Sequence, residues 1–196
     1  MTEATNAHAE PNVFTMAMLG WSPWLPPIAE KDATPAILKA LVDPGRVKSD
    51  YFMLLARDPD VLEARTLCDK DIFYNTEGGL SRGLREFSAT VVSRTNGCIF
   101  CASVHARFAA RYLQQKDAVQ TFLDHGKPDD EPSPEMRLVQ DVSEALTTTP
   151  AGLEPDHIAA LQHAGFDDLM ILDLINSASF FAWANRLMLS LGTATW

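Results

Sequence analysis

Cysteine is scarce in this chain, with three residues in 196. That is too few for a disulfide scaffold. Basic side chains are outnumbered, 16 Lys and Arg against 26 Asp and Glu, for a net charge of −10. Nucleic acid and anionic membrane surfaces both select basic patches, so neither is an expected partner. A long apolar run is missing too. Residues 11–29 carry no charge but contain four prolines, and no Lys or Arg precedes Lys31. A membrane helix needs an unbroken run and a secretory signal needs a basic start. The expected compartment is therefore the cytoplasm. No Gly-rich phosphate loop, Gly-x-Ser-x-Gly elbow or His-Glu-x-x-His is present, and no cofactor is expected. No stretch alternates with period two and no repeat is visible.

What remains is an ordinary soluble composition, 46% hydrophobic and 21% charged. Residues 1–12 are polar and read as a flexible arm, and 13–196 as a single domain. The Pro-rich segment 13–29 is no long helix, and its apolar side chains are expected to pack on the chain's own core. Helical periodicity and caps then predict helices over 35–42, 46–57, from Pro59 onward, 82–95, 98–115, from Asp117 to Leu123, 134–146, 155–164 and 168–191. The loop GKPDDEPSP fills 126–134. The last helix is apolar almost all round and belongs in a core or an interface between subunits. The fold class is all-α, with about eight helices. Homo-oligomerisation, as a dimer or higher, is expected from helix 168–191 and arm 13–29 together.

The chemistry concentrates in Asn96-Gly97-Cys98-Ile99-Phe100-Cys101-Ala102-Ser103-Val104-His105. Cys98, Cys101 and His105 fall three and four apart, on one helical stripe. Cys98 belongs at the helix start, where free N–H groups and the dipole stabilise a thiolate. The imidazole one turn beyond Cys101 serves as base or cation for that sulfur. The pattern reads as a dithiol that closes to a disulfide. A zinc reading uses the same three residues but lacks a fourth ligand. Cys68 has no such neighbours and is expected to be a small buried residue. His8, His125, His157 and His163 are scattered and carry no motif. Glu86 sits inside an apolar helix. It reads as a surface carboxylate unless it is at least partly buried against the cysteine helix, where it needs a partner, His105 first, directly or through water.

Glu86, eleven residues, then Cys98-x-x-Cys101-x-x-x-His105 resembles the signature of the alkyl hydroperoxidase D and carboxymuconolactone decarboxylase superfamily. The similarity is greater to its peroxidase-related branch. Leu80-Ser81 stands before the Glu helix, Val91-Val92-Ser93 and Asn96-Gly97 lead into the cysteines, and Phe180-Phe181-Ala182-Trp183-Ala184-Asn185-Arg186 marks the last helix. The resemblance implies an oligomeric helical fold of the hydroperoxidase D type and a dithiol–disulfide cycle that reduces organic hydroperoxides, with a dithiol reductant as second partner. Carried over by position, it implies Cys101 as attacking thiol, Cys98 as resolving thiol, and Glu86 and His105 as proton relay. One position departs from the prototype, which has histidine where Phe100 stands. That leaves either a weak peroxidase or one aimed at a bulkier apolar peroxide. The alternative is a non-catalytic redox-responsive or partner-binding protein that kept the dithiol. The helix-end argument favours Cys98 as attacker and the His105 spacing favours Cys101. A proton donor on the Cys101 side, and a more exposed Cys98 to meet the reductant, lead to the expectation that Cys101 attacks.

Overall fold

The computed structural model describes residues 10–127 and 133–196. Most of the expected arm, with His8, and part of the 126–134 loop lie outside them. Among the described residues the fold is helical: α1 (Pro35–Ala40), α2 (Asp50–Leu55), α3 (Pro59–Tyr74), α4 (Arg82–Thr95), α5 (Ile99–Leu113), α6 (Lys116–His125), α7 (Pro134–Thr147), α8 (Pro155–His163) and α9 (Asp168–Leu191). Short 3-10 turns at Glu30–Asp32 and Pro44–Lys48 precede α1 and α2. No described helix is long and apolar enough to cross a membrane.

Local chemistry sets the helix starts. Thr34, Asp58, Ser81, Ser133 and Asp167 each accept a hydrogen bond from a backbone N–H of the first turn. Proline follows the cap in α1, α3 and α7, where its missing N–H costs nothing. The α6 start differs from expectation, because Gln115 and not a side chain at Asp117 stands at its cap.

α4 is the hub. Eleven of its residues, from Gly83 to Ser93, are buried. Phe87 and Val91 enter the main core with Phe122, Met136 and Leu174. Ala89 and Val92 face a second core with Phe73, Phe181 and Met188. The buried polar residues on α4 are all bonded: Ser88 to Ser143, Thr90 to the Glu86 carbonyl, and the Arg85 carbonyl to Ser177. Arg85 itself donates to the carbonyls of Leu80, Ile72, Asn75 and Gly78 and pairs with Asp173. One guanidinium therefore ties the end of α3 and the loop after it to α4 and α9.

Three expectations need correction. A two-stranded antiparallel ribbon is present, β1 (Gly20–Pro23) against β2 (Gly192–Thr195), with Gly20 opposite Thr195. Four residues are too short to show an alternation. Segment 13–29 packs only in part. Leu19 is buried, but Val13, Met18, Trp24 and Leu25 are exposed. Cys68 is exposed. The buried stripe of α3 runs through Leu62, Arg65, Thr66 and Phe73, and Cys68 falls on the opposite side of the turn.

Candidate active site

The turn between α4 and α5 builds the site. Gly97 lies at φ 77°, a conformation only glycine takes readily. The N–H of Gly97 bonds to the Arg94 carbonyl and that of Cys98 to the Ser93 carbonyl, a Schellman closure of α4. Cys98 is at once the cap of α5, its carbonyl accepting from the Ala102 N–H. The turn folds α5 back along α4. A side chain at Gly83 would strike Leu113 at 2.7 Å, so the two helices are in close contact there. This hairpin brings Glu86 opposite His105.

Glu86 is 1% exposed. Its Oε2 meets His105 Nδ1 at 2.5 Å, and its Oε1 accepts from Arg82 Nε at 2.7 Å. Against a carboxylate, which only accepts, Nδ1 is the donor of this contact and Nε2 is the nitrogen turned away from Glu86. The imidazole lies edge-on to Phe181, with centroids 4.0 Å apart, and near Phe73. Arg82 is held above Tyr74 and Tyr112, 4.1 and 4.9 Å from the ring centroids. Burial alone would lower its pKa. The hydrogen bond and charge of Glu86 overcome this and leave it raised.

Both cysteines of the pair are free and buried. Cys98 is the less exposed, at 2% against 6% for Cys101. The expectation that the helix entrance exposes Cys98 is therefore wrong. It packs with Trp21, Phe100 and Met188 instead, beneath the ribbon. The two sulfurs open to different spaces. Cys101 lines a cavity of about 260 Å³ with Glu86, His105, Phe73, Phe108 and Phe181. Cys98 lines another, of about 210 Å³, beside Trp21, Trp24 and Gly97. Phe100 and Met188 belong to both walls.

The thiols differ in acidity. Cys98 is lowered from the ordinary thiol value, first by a hydrogen bond from Cys101 and then, against burial, by the Cys101 backbone N–H and the Asn185 amide. Cys101 is raised well above it by giving its hydrogen to Cys98, by burial and by the charge on Cys98. Of the two sulfurs Cys98 is therefore the one that ionises more readily, in the direction the helix-end argument requires.

The structure thus brings Glu86, Cys101 and His105 to one cavity and sets Cys98 behind it. Among the described residues no group of three or more His, Cys, Asp or Glu side chains is placed to hold a metal ion. Sequence reasoning missed Arg82, although it lies one turn before Glu86. It gave Asn185 no role. This buried amide accepts from Asn96 and donates to Ser93 Oγ, so it also braces the α4–α5 turn. Tyr51 and Arg65 reach the cavity from α2 and α3, and no local signal marks them.

A model of the carboxymuconolactone decarboxylase family matches residues 59–132. The uncharacterised protein YdfG of Bacillus subtilis (strain 168) is 25% identical over 119 residues, 61% of this chain and 80% of that protein. An uncharacterised peroxidase-related protein from Ralstonia eutropha JMP134, described as an alkylhydroperoxidase AhpD core, superposes with a TM-score of 0.71. It is 20% identical, with 89% of this chain and 90% of that one covered. A peroxidase-related protein from Silicibacter sp. TM1040 gives 0.66 at 22% identity, covering 97% and 92%. The debrominase Bmp8 gives 0.67 at 18% identity, covering 86% and 90%. A cysteine-to-alanine variant of it was solved with 2,3,4-tribromopyrrole.

Proposed function

We propose that the chain is a thiol peroxidase for organic hydroperoxides, a reading supported by the match of the carboxymuconolactone decarboxylase family model to residues 59–132 and by the fold shared with peroxidase-related proteins. The observation that carries this reading is Cys101 in an apolar cavity that also holds the buried Glu86–His105 pair. A hydroperoxide enters on that side. The proton of Cys101 is drawn off along its contact with Cys98 or to His105 Nε2. The Cys101 thiolate attacks the terminal peroxide oxygen. An S–O bond forms, the O–O bond breaks, and the alkoxide takes a proton from the relay to leave as alcohol. Cys98 then attacks the Cys101 sulfenic acid, expelling hydroxide that is protonated to water, and the disulfide closes. A dithiol reductant supplies two electrons and two protons to reopen it, reaching Cys98 through the second cavity. Aromatic walls, Phe100 among them, favour bulky apolar peroxides over hydrogen peroxide.

The test is turnover of cumene hydroperoxide with a dithiol reductant. The wild type should exceed the Cys101→Ser variant by at least about 10³-fold. Equal rates remove the peroxidase reading and leave a redox-responsive binding protein. A second reading draws on the same aromatic cavity. A thiolate that attacks peroxide oxygen also attacks an activated aromatic halogen, giving a sulfenyl halide and, after proton uptake, the dehalogenated ring. Cys98 then displaces halide. Bromide release from a brominated pyrrole, without hydroperoxide turnover, would favour it.

The proposal includes a homo-oligomer, a dimer or higher. Leu169, Leu172, Trp183 and Leu189 on α9 and Trp24 and Leu25 before α1 are exposed apolar side chains. Light scattering on a sized sample should give a multiple of 21.6 kDa. A monomer at micromolar concentration contradicts it.

A further inference from the structure

Four buried side-chain polar atoms lack a hydrogen-bond partner among the described residues: Tyr51 Oη, Arg65 Nε, Thr66 Oγ1 and Gln140 Oε1. Two of the four belong to residues that line the Cys101 cavity. Buried polar groups are almost always partnered, so two orphans at one site call for an explanation. Both are donors. Arg65 is 8% exposed and turns only Nη1 to a partner, Asp69 at 3.1 Å. Its guanidinium is wedged among aromatic rings, 5.4 Å from the centroid of Phe52 and 5.1 Å from that of Phe180. The Tyr51 ring is fixed edge-on between Trp21 and Phe52, which holds its hydroxyl in place. Arg65 lies beside Tyr51 and lowers its phenol by charge and by a long hydrogen bond to the oxygen, so what lacks a partner at Tyr51 is an acceptor for its O–H.

We propose that Tyr51, oriented against Arg65, is a reserve donor whose hydroxyl hydrogen-bonds the anion formed at Cys101. The neutral Cys101 thiol gives its hydrogen to Cys98 and asks nothing of Tyr51. When that proton leaves, the sulfur becomes a strong acceptor and the waiting O–H has a partner. The same donor then serves the sulfenate oxygen. A donor fixed before the charge develops is worth more than one that must reorient. The electrostatics agree with this placement. The Tyr51 phenol is pushed up to about 12, first by burial and, against Arg65, by a charge on Cys101, and Arg65 lowers the Cys101 thiol. Phe100 offers no donor from α5. The other charged or titratable groups on this cavity are Asp69 and Tyr74 of α3, Arg82 and Glu86 of α4 and His105 of α5, with Cys98 behind Cys101. Glu86, His105 and Arg82 are bonded to one another, and Asp69 is held by Arg65 and Arg46. Tyr74 lies under Arg82 and is hydrogen-bonded to it, which leaves the O–H of Tyr51 to answer the sulfur.

The inference concerns the site read above as a peroxidase centre, but its test does not depend on peroxide. In a Cys98→Ser background only Cys101 titrates at this pair. Its thiolate, followed by ultraviolet absorbance against pH, should be about tenfold less populated at a given pH in Tyr51→Phe than with Tyr51 present. Circular dichroism confirms that both variants fold. Arg65→Lys, which keeps the charge, should leave most of the thiolate. An unchanged titration on Tyr51→Phe overturns the proposal. A normal shift in a protein without hydroperoxide turnover would keep it and discard the peroxidase reading instead.

Discussion

The cavity at Cys101 has two unlike walls. On the α4–α5 side the buried carboxylate is satisfied: Glu86 accepts from both Arg82 and His105 and is sealed from water. On the α2–α3 side Tyr51 Oη and Arg65 Nε stand unpaired. The first wall is a completed network that fixes a geometry, and it stabilises the fold that holds it. The second keeps hydrogen-bonding capacity in reserve, at a cost in stability of roughly 1–3 kcal/mol for each orphaned group. A ligand or a charge on the sulfur is what the second wall lacks. The first wall already contains its charges.

This contrast makes opposite predictions for stability and the same prediction for activity. The largest effect belongs to Glu86. Glu86→Gln should lower hydroperoxide turnover by about 10²-fold or more, because His105 loses the carboxylate that fixes its tautomer. Glu86→Ala should also cost about 3 kcal/mol of stability, since it leaves Arg82 and His105 without their shared partner. Denaturant unfolding measures this. A Glu86→Ala protein as stable as the wild type would mean that the first wall is not a structural network.

Tyr51→Phe should go the other way in stability while slowing reaction at Cys101. Removing an unpaired buried hydroxyl and keeping the ring should raise stability by about 1 kcal/mol. A rise in Tm together with a loss of Cys101 thiolate is the signature of a group held for function at the expense of folding. A fall in Tm would show that the hydroxyl already has a partner, and the contrast between the walls would disappear.

Much of the first wall was legible in the sequence and almost none of the second. Glu86, Cys98, Cys101 and His105 lie on two consecutive helices joined by a turn that Gly97 announces. Helical spacing and a short hairpin therefore suffice to bring them together. The nine helices of the described residues are also local objects, five of them opened by a capping side chain, and α4 and α9 match the sequence-based limits of 82–95 and 168–191. Tyr51 and Arg65 are different. They are placed by the packing of α2 and α3 against α9 and the ribbon, and by Arg85 clamping the loop after α3. Such long-range contacts leave no period and no spacing to read. The same holds for Cys68. Periodicity shows that α3 has a buried stripe but, in a helix with Arg65 inside and Val61 outside, not which stripe it is.

The smallest effect concerns the two sulfurs, whose surroundings differ as the walls do. Cys98 caps α5 and receives hydrogens from the Cys101 thiol, the Cys101 backbone and Asn185, so it is pulled below the ordinary thiol value of 9.0. Cys101 gives its hydrogen away, is buried and sits beside that charge, so it is pushed well above 9.0. The pair therefore titrates as a unit, one proton leaving easily and the second with difficulty. The two contributions to stability have opposite signs. For Cys98 the gain is fully present above the unfolded value and is lost as pH falls through the lowered folded one. For Cys101 it is present below the unfolded value and is lost as pH rises toward the raised folded one. They offset each other near the ordinary thiol value, so the melting temperature should vary little with pH there, and the thiolate signal is the better readout. In Cys101→Ser, where a hydroxyl still donates to Cys98, the thiolate band should appear below pH 9.0. In Cys98→Ala the hydrogen bond and charge of Cys98 are gone, so the Cys101 band should appear at lower pH than the second ionisation of the intact pair. If Cys101 ionises first instead, the helix start does not decide where the charge rests. The resting enzyme would then already hold its thiolate in the substrate cavity, with Tyr51 engaged before any substrate arrives.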